Sequence, residues 1–379
     1  MPARSSTTPN KAIDAHARFA GIALVIVMAL GLWQVVAALT RVDFGEIPAG
    51  PADFREGRST GKLQRKIEDN LPWRDAMIAG ASALRYALAG GSVEAVRVGR
   101  EGWLFLGEEL QLADESAAWS RERIAKVAEA KRALEARGVA LVVALVPDKA
   151  RVYGRFVPAS DVPPAHAARY GEALAALRRR GVNAVDLLTP LAAGAREGEV
   201  YYRTDTHWNQ RGAKIAADAI AEAVRSMGVK LEPAKFTSRV GSEVERRGDL
   251  IRLMGLEHAP KALRPAADRE RPITTEAADA GGASLLGDFE IPATLVGTSY
   301  SLRANFHGFL QEALGARVLN ASRDGSGFYQ SANEYFANEA FRASPPKVVV
   351  WEIPERALSE KPASPEALPF DGKPSRPPS

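Results

Sequence analysis

The sequence predicts an α/β fold: a three-layer sandwich with a central parallel sheet of about five strands, preceded by one N-terminal transmembrane helix. From about residue 120 onward, segments with apolar residues at helical spacing alternate with short, continuously apolar runs. Strands that are apolar at every position are buried on both faces, as in parallel sheets covered by helices on each side. Ahead of these segments, residues 19–39 carry no charge at all.

The uncharged segment FAGIALVIVMALGLWQVVAAL, residues 19–39, has the length of one membrane crossing. As a helix it would extend roughly 30 Å, the thickness of the hydrocarbon layer of a bilayer. Three basic residues precede it: Arg4, Lys11 and Arg18. The positive-inside bias therefore places residues 1–18 in the cytoplasm and the bulk of the chain outside it. A cleaved signal peptide is the alternative, with Val36 and Ala38 before the cut, although the apolar run is longer than such peptides usually have.

The first predicted helix and strand of the domain set its pattern. The segment RERIAKVAEAKRALEARG places Ile124, Val127 and Leu134 at helical spacing and ends at Gly138. The run VALVVALV, residues 139–146, follows it as a buried strand. Further strands are predicted at 182–187, 293–297, 317–320 and 347–353. Further helices are predicted at 165–181, 210–228, 302–315 and 331–344.

Residues 95–357 form the predicted α/β domain, and three other segments differ from it in composition. Residues 40–94 are predicted to be a juxtamembrane connector with short helices. Residues 259–288, rich in proline, alanine and aspartate, are predicted to be an irregular insertion. The proline-rich tail, residues 358–379, is predicted to be disordered.

Composition excludes several classes of function. With 46% hydrophobic and 25% charged residues, the chain has the composition of an ordinary globular protein. Its net charge of +4 is spread along the chain rather than gathered in a basic block, so no nucleic-acid partner is expected. Because cysteine is absent, disulfides, thiolate catalysis and cysteine metal sites are excluded, and no metal site is predicted.

One loop at the carboxyl end of a predicted strand carries a candidate nucleophile. Reactive groups gather at this edge of parallel sheets. In LVGTSYS, Ser299 lies between a predicted strand and a predicted helix, a context that exposes a hydroxyl and offers backbone N–H groups to an oxyanion. Gly297 permits the tight turn. The alternative is that the serine is a helix cap, a role for which Ser301 is the better candidate.

A second loop, YYRTDTHWNQRGA, places an acid two residues before one of only five histidines. If this segment is extended, Asp205 and His207 present both side chains toward one site, and Asn209 caps the helix that follows. The alternative is an ordinary turn before that helix. His307, on the helix after Ser299, is the other candidate base. A hydroxyl, an imidazole and a carboxylate are the three groups that nucleophilic acyl transfer requires.

These two loops carry a family resemblance. TDTHWNQRGA resembles the Asp-x-x-His block of SGNH (GDSL-type) hydrolases with one residue fewer between acid and base, and VGTSYS resembles their nucleophile block. The order is reversed relative to ordinary SGNH enzymes, as in the circularly permuted branch of alginate O-acetyltransferases of the AlgJ and AlgX type. Four further stretches are similar to that branch: GREGWLFLG, VPDKARVY, RGDLIRLMGL and WEIPER. Together the matches extend over roughly residues 95 to 356.

The resemblance implies roles for seven residues. Ser299 would be the nucleophile that forms an acyl-serine, His207 the general base and Asp205 the carboxylate that orients it. The loop NASRDGSG would supply a further oxyanion donor, with the backbone of Gly325 as the candidate. The remaining three are candidates to line a polymer groove, each with a surface or structural role as the alternative: Tyr329, Arg203 and Lys149.

The resemblance implies an O-acetyltransferase that modifies an alginate-like or cellulose-like exopolysaccharide in the periplasm, held at the inner membrane by its anchor. The implied partners are a membrane-bound O-acyltransferase as acetyl donor, the polysaccharide acceptor and other exopolysaccharide secretion proteins. No glycine-rich phosphate-binding loop for an acetyl-CoA cofactor is visible, so no cofactor is expected. A polysaccharide O-acetyl esterase and a non-catalytic scaffold of the secretion complex are the alternatives, because the same triad serves transfer and hydrolysis.

Overall fold

The computed structural model describes residues 11–89, 93–278 and 291–370. The chain forms two compact units, one of residues 1–85 with 258–260 and the other of residues 86–257 with 261–379. The predicted connector and α/β domain fall largely in the first and second unit, respectively.

Helices and strands alternate along most of the described chain. The α-helices are α1 Lys11–Leu39, α2 Pro51–Arg55, α3 Arg58–Asp69, α4 Arg74–Ala89, α5 Gly107–Leu110, α6 Ser116–Glu135, α7 Lys149–Val152, α8 His166–Arg179, α9 Leu188–Glu197, α10 Gln210–Ser226, α11 Asp249–Leu253, α12 Phe306–Leu314, α13 Gln330–Ala337 and α14 Glu339–Ala343. The strands are β1 Val96–Val98, β2 Leu104–Leu106, β3 Ala140–Val146, β4 Asn183–Asp186, β5 Phe236–Val240, β6 Val244–Arg246, β7 Asp268–Glu270, β8 Ile273–Ala277, β9 Ala293–Val296, β10 Val318–Asn320 and β11 Val348–Pro354.

The first unit contains the candidate membrane span. Within α1, the stretch Arg18–Leu39 has a mean hydropathy of 2.5, and among the described residues it is the one helix long and apolar enough to cross a membrane. This helix is compatible with single-pass anchoring. The predicted connector contains the short helices α2, α3 and α4.

The central sheet of the second unit has five parallel strands in the order β10-β9-β11-β3-β4. These are the five strands predicted from the sequence, and the α/β sandwich is confirmed. Alternate residues of β3 face opposite layers: Val142 and Ala144 pack with residues of α10 and α12, whereas Leu141 and Val143 pack with residues of α6 and α8. The continuous apolar runs exist because both faces of these strands are covered.

The sheet register gathers the polar loops of the site at one edge. Trp351 of β11 pairs with Val296 of β9, and Pro354 of the same strand pairs with Val146 of β3. Because the strands are parallel, the segments that follow them leave the sheet on the same side. The turn containing Ser299 therefore lies beside the WEIPER segment that ends β11.

Two boundaries differ from the sequence prediction. The helix expected from Leu302 begins at Phe306, because Ala304 and Asn305 have φ values of 53° and 55°, a left-handed conformation that cannot continue a helix. A short 3₁₀ helix, Ser299–Leu302, precedes it. The predicted irregular insertion contains β7 and β8, which pair antiparallel with β6 and β5. Its residues 279–288 lie outside the described ranges.

The proline-rich tail differs from the prediction of disorder as far as residue 370. Glu366 receives hydrogen bonds from the guanidinium of Arg123, at 2.6 Å to Nη2 and 2.8 Å to Nε, and only 2% of the Arg123 side chain is exposed. Leu368 is buried in the same region. The proline-rich composition of the tail gives no sign of this contact. Glu366 supplies the carboxylate that the buried guanidinium of Arg123 requires. Residues 371–379 lie outside the described ranges.

The buried ion pair of Arg123 with Glu366 is predicted to contribute to the free energy of unfolding of the second unit. Replacing Glu366→Gln leaves Arg123 buried without its counter-charge and should lower the free energy of unfolding by about 3–5 kcal/mol. Urea unfolding followed by tryptophan fluorescence measures the change. The matched control is Glu222→Gln, whose pair with Arg225 is exposed and should cost less than about 1 kcal/mol. Equal, small effects of the two substitutions would contradict the structural role of the tail.

Candidate active site

The histidine loop is a narrow excursion between β4–α9 and α10. Tyr201 and Trp208 pair as an antiparallel bridge at its base, and the N–H of Tyr202 donates to the carbonyl of His207. Asn209 caps α10 as predicted, since its side chain accepts from the N–H of Gly212 at 3.0 Å. Gly212 cannot be larger, because a Cβ there would lie 2.0 Å from the carbonyl oxygen of Val200.

At the tip of this loop, the three side chains predicted from the sequence lie in a hydrogen-bonded row. Ser299 Oγ lies 2.7 Å from His207 Nε2, and His207 Nδ1 lies 2.6 Å from Asp205 Oδ1. Asp205 and His207 are buried, whereas Ser299 is half-buried. An imidazole held by a carboxylate on one side and a hydroxyl on the other can accept the hydroxyl proton and carry the resulting charge.

Four hydrogen bonds saturate the carboxylate of Asp205. Its Oδ1 accepts from both the backbone N–H and Nδ1 of His207, and its Oδ2 accepts at 3.2 Å from Arg246 Nη2 and at 3.2 Å from the N–H of Asp249. Burial opposes ionisation, but the hydrogen bond and charge of His207 and the charge of Arg246 outweigh it and hold the pKa of Asp205 below its ordinary value. The group therefore stays a carboxylate.

Lys149 stabilises the backbone of the histidine loop and does not line a groove. Its fully buried ammonium donates to the carbonyls of Tyr202, Arg203 and Asp205 at 3.2, 3.3 and 2.6 Å. Burial lowers the pKa of Lys149, with nearby carboxylates such as Glu109 opposing the shift. The three carbonyls point at one cation, which fixes the path of the loop.

A buried carboxylate on the neighbouring strand fixes the serine turn. Glu352 on β11 accepts from the N–H of Thr298 at 2.7 Å, from the Thr298 hydroxyl and from the Ser301 hydroxyl at 3.0 Å. Burial raises the pKa of Glu352, and these hydrogen bonds oppose the rise. Gly297 is required here as well, because a Cβ would lie 2.5 Å from Glu352 Oε2. Ser301, the alternative candidate for a helix cap, instead donates its hydroxyl hydrogen to Glu352.

Tyr300 joins the serine turn to the histidine loop. Its hydroxyl donates to the carbonyl of Thr206 at 3.0 Å, and its ring lies edge-on to the imidazole of His207 at 4.8 Å between centroids. The side chain is fully buried. Because Tyr300 adjoins Ser299 in sequence, this contact sets the distance between the hydroxyl and the base.

The row opens into a cleft of about 560 Å³. Its lining residues are Asp205, His207, Arg246, Arg247, Gly248, Asp249, Ile251, Arg252, Glu257, Ser299, Arg303, Asp324 and Gly325. Four of them are arginines, and Gly325, with φ of 66°, presents backbone rather than a side chain to the cleft. The cleft is therefore polar, and its four arginines are matched by four carboxylates: Asp205, Asp249, Glu257 and Asp324.

The other candidates lie elsewhere. Arg203 lines an adjacent cavity of about 410 Å³ and pairs with Glu199 at 2.7 Å. Tyr329 packs against the core of the opposite layer, and its hydroxyl lies 3.0 Å from Ser364 Oγ. The alternative base, His307, directs Nε2 to the carbonyl of Val318 at 2.7 Å and does not line the cleft.

Four residues that shape the site had not been identified from the sequence: Arg246, Asp249, Tyr300 and Glu352. Arg246 and Asp249 flank Gly248, where a Cβ would lie 1.9 Å from the Thr204 carbonyl, so this strand end must press against the histidine loop. The motif RGDL, residues 247–250, is the sequence signal for this segment. Its spacing does not show that the segment contacts the histidine loop. Glu352 is a charged residue inside a buried strand, which is itself a signal of a specific partner.

Among the residues that the structure describes, two groups of acidic residues and histidine come close enough to share a metal ion: Asp205 with His207 and Asp249, and Asp148 with His166 and Glu355. In the first group both ring nitrogens of His207 are already directed at Asp205 and Ser299. The second group pairs with arginines: Arg169 contacts both Asp148 and Glu355, and Arg151 contacts Glu355. Arginines thus surround the two carboxylates of the second group, whereas Nε2 of His166 is buried there without a hydrogen-bond partner.

A serine, histidine and carboxylate in a hydrogen-bonded row beside a parallel α/β sheet are the features of hydrolase-like enzymes of acyl transfer, a class that includes α/β-hydrolases and SGNH-like enzymes. Comparison with known proteins narrows this class. Residues 96–355 match the family described as SGNH hydrolase-like domain, acetyltransferase AlgX. The chain is 38% identical over 272 residues to the probable alginate O-acetylase AlgJ of Pseudomonas putida, covering 70% of this chain and 71% of that protein. It is 37% identical over 289 residues to the protein of the same name from Pseudomonas aeruginosa, with 73% and 74% covered.

Solved structures agree. The O-acetyltransferase domain of Pseudomonas putida AlgJ superposes with a TM-score of 0.64 at 36% identity, covering 70% of this chain and 93% of that one. Pseudomonas aeruginosa AlgX superposes with a TM-score of 0.52 at 25% identity, covering 68% and 62%. The chain belongs to the AlgJ and AlgX family of O-acetyltransferases with an SGNH hydrolase-like domain. The resemblance and the SGNH-like fold predicted from the sequence are thereby confirmed.

Arg246 provides a test of how the carboxylate is held. Its guanidinium lies over the ring of Tyr202 at 4.6 Å as well as beside Asp205. Arg246→Met removes one charged hydrogen bond, equivalent to about 1.5–3 kcal/mol, and should lower kcat/KM about 10- to 100-fold. Because the positive charge of Arg246 helps depress the pKa of Asp205, its loss raises that pKa, and the carboxylate takes up a proton at higher pH.

The acidic limb of the pH profile of kcat/KM should therefore move to higher pH in Arg246→Met and less in Arg246→Lys. Arg239→Met, at an exposed position on β5, is the control and should leave the profile in place. An unchanged acidic limb in Arg246→Met would show that the guanidinium does not govern the charge of Asp205.

Proposed function

We propose that this enzyme acetylates hydroxyl groups of alginate through an acetyl-serine at Ser299. The observation that carries the proposal is the row of contacts at 2.7 and 2.6 Å from Ser299 through His207 to Asp205, opening into a cleft. The names and functions of the relatives, AlgJ as a probable alginate O-acetylase and AlgX in alginate biosynthesis, support alginate as the polymer.

In the first half-reaction, His207 Nε2 takes the proton of Ser299 Oγ as the oxygen attacks the acetyl carbonyl carbon of the donor. Asp205 accepts the hydrogen bond of Nδ1 and balances the charge of the imidazolium. The backbone N–H groups of Ser299 and Gly325 are the proposed donors to the tetrahedral oxyanion. When the intermediate collapses, the bond to the donor group breaks, and that group leaves with the proton from His207.

In the second half-reaction, the sugar hydroxyl takes the place of the departed donor group. His207 accepts its proton, the sugar oxygen attacks the acetyl-serine, and the bond to Ser299 Oγ breaks. The proton then returns to the serine oxygen. Water competes with the sugar at this step, so the balance between transfer and hydrolysis depends on how well the cleft holds the acceptor.

The cleft offers arginine partners to the carboxylates of a uronate acceptor. Arg247, Arg252 and Arg303 line it around the hydroxyl of Ser299. Arg303 also pairs with the exposed Asp324 at 2.9 Å, a contact that a uronate carboxylate can replace at little cost. Guanidinium groups bind carboxylates in a planar, two-point geometry, which suits a uronate chain.

The location proposed for the enzyme follows from its anchor. Residues 19–39 would cross the inner membrane, residues 1–18 would lie in the cytoplasm, and residues 95–357 would act in the periplasm. One helix cannot carry acetyl groups through a bilayer, so a membrane-bound O-acyltransferase is the proposed donor. The anchor keeps the enzyme beside that donor and beside the other proteins of polysaccharide secretion.

The triad assignment predicts which substitutions abolish turnover. Ser299→Ala and His207→Gln should each lower kcat with a chromogenic acetyl ester by about 10³-fold or more, because the nucleophile and its base act as a unit. Mass spectrometry should detect an acetyl group on Ser299 of the wild-type chain. The matched control is His307→Gln, which should keep its activity because His307 faces the Val318 carbonyl. A large loss in His307→Gln instead would make that residue the base.

The acceptor assignment predicts a separate effect on binding. The pair Arg252→Gln with Arg303→Gln should raise KM for a uronate oligomer about tenfold, since each partly exposed ion pair contributes up to about 1 kcal/mol. The kcat with a small neutral ester should not change. The control pair, Arg225→Gln with Arg239→Gln, removes the same charge from positions outside the cleft lining. If acetyl release to water exceeds transfer even with saturating oligomer, the esterase alternative holds.

A further inference from the structure

Helix α4 carries an apolar face that is largely exposed among the described residues. Trp73, directly before the helix, and Met77, Ala81 and Leu84 follow one another at helical spacing on one side. Met77 and Leu84 are 61% and 60% exposed. On the opposite side, Ala79 and Ala83 are buried and Tyr86 is half-buried. The large apolar side chains of this outer face thus point away from their own unit, the reverse of an ordinary surface helix.

Contacts with α1 fix where this face begins. Gln34 accepts from the N–H of Trp73 at 3.2 Å, and its amide nitrogen lies 3.8 Å from the sulfur of Met77. The ring of Trp33 lies 5.3 Å from that of Trp73. Gln34 belongs to the apolar stretch Arg18–Leu39, roughly 8 Å of helix before its end. The polar amide of Gln34, which lies within the apolar stretch, is thus partnered by Trp73 and Met77 of the α4 region.

We propose that α4 is an interfacial membrane helix, whose outer face of Trp73, Met77, Ala81 and Leu84 contacts the acyl chains of the outer leaflet. This inference rests on the proposed membrane anchor. If α1 spans the bilayer, the start of α4 lies at the same level as Trp33, in the region where tryptophans concentrate.

The chemistry of the surroundings favours lipid over a protein partner. Arg74 and Asp75, exposed at the start of α4 and 3.6 Å apart, suit the headgroup layer. Helix α3, which packs against α1, carries Lys62 and Arg65, which suit anionic headgroups, whereas its Arg58 and Lys66 pair with carboxylates of the same unit. The outer face itself is a single row of four side chains, far fewer than the roughly 20–30 residues a side of a stable protein interface. A lipid surface needs no such area.

The absence of cysteine allows a direct test with single-cysteine chains. Full-length Met77→Cys and Leu84→Cys, each carrying a nitroxide label, are reconstituted in vesicles of phosphatidylethanolamine and phosphatidylglycerol. Relaxation by oxygen, which concentrates in lipid, is compared with relaxation by a water-soluble nickel chelate. Leu24→Cys on α1 is the lipid control, and Val240→Cys, an apolar residue 61% exposed on β5, is the aqueous control.

We expect oxygen to exceed nickel several-fold at Met77 and Leu84, as at Leu24, with the reverse at Val240. Nickel accessibility at Met77 and Leu84 with lipid-like behaviour at Leu24 overturns the inference and leaves the anchor intact. Nickel accessibility at Leu24 overturns the anchor itself. Protection of Met77 from both reagents means that protein covers the face, which also overturns the inference. Unchanged ester turnover by each labelled chain shows that it is folded.

Discussion

The carboxylate of Asp205 is 3% exposed, and the arrangement of the site depends on keeping it charged in that position. A buried carboxylate without partners would take up a proton and could not orient an imidazole. Four hydrogen bonds prevent this, and they come from three separate segments: the histidine loop itself, the end of β6 and the start of α11. The segment after α10 therefore belongs to this arrangement, since it brings Arg246 and Asp249 to the histidine loop.

The same principle recurs at the serine turn and beneath the histidine loop. Glu352 is a buried carboxylate satisfied by Thr298 and Ser301, and Lys149 is a buried ammonium satisfied by three carbonyls. Each charge fixes backbone by collecting hydrogen bonds that are costly to break in a buried setting. Tyr300 then links the two loops, so the 2.7 Å contact between hydroxyl and base is set by rigid surroundings on both sides.

The reversed order of the motifs has a simple structural basis. Strands β3, β9 and β11 are adjacent in the sheet although the chain visits them far apart. Because the carboxyl ends of the parallel strands lie at one edge, the turn after β9 and the loop between α9 and α10 can meet there whatever their order along the chain. The family relation to AlgJ and AlgX is accordingly visible both in chain order and in the superposed structures.

The sequence by itself determined the sandwich, its five strands and the three groups of the row. Continuous apolar runs are a local signal of strands buried on both faces. An acid two residues before a histidine is also a local pattern, which can be recognised without knowing any distant contact. Tertiary structure alone decided which charges complete the site. The sequence does not give the pairing of Arg246 with Asp205 across 41 positions, of Glu352 with the serine turn, or of Arg123 with Glu366 in a tail predicted to be disordered. Lys149, a candidate for the polymer groove, is instead buried and donates hydrogen bonds to three backbone carbonyls. Tyr329 packs against the core of the opposite layer. These partners arise only when the whole sheet is assembled, because the energy of a buried charge is set by what packs around it.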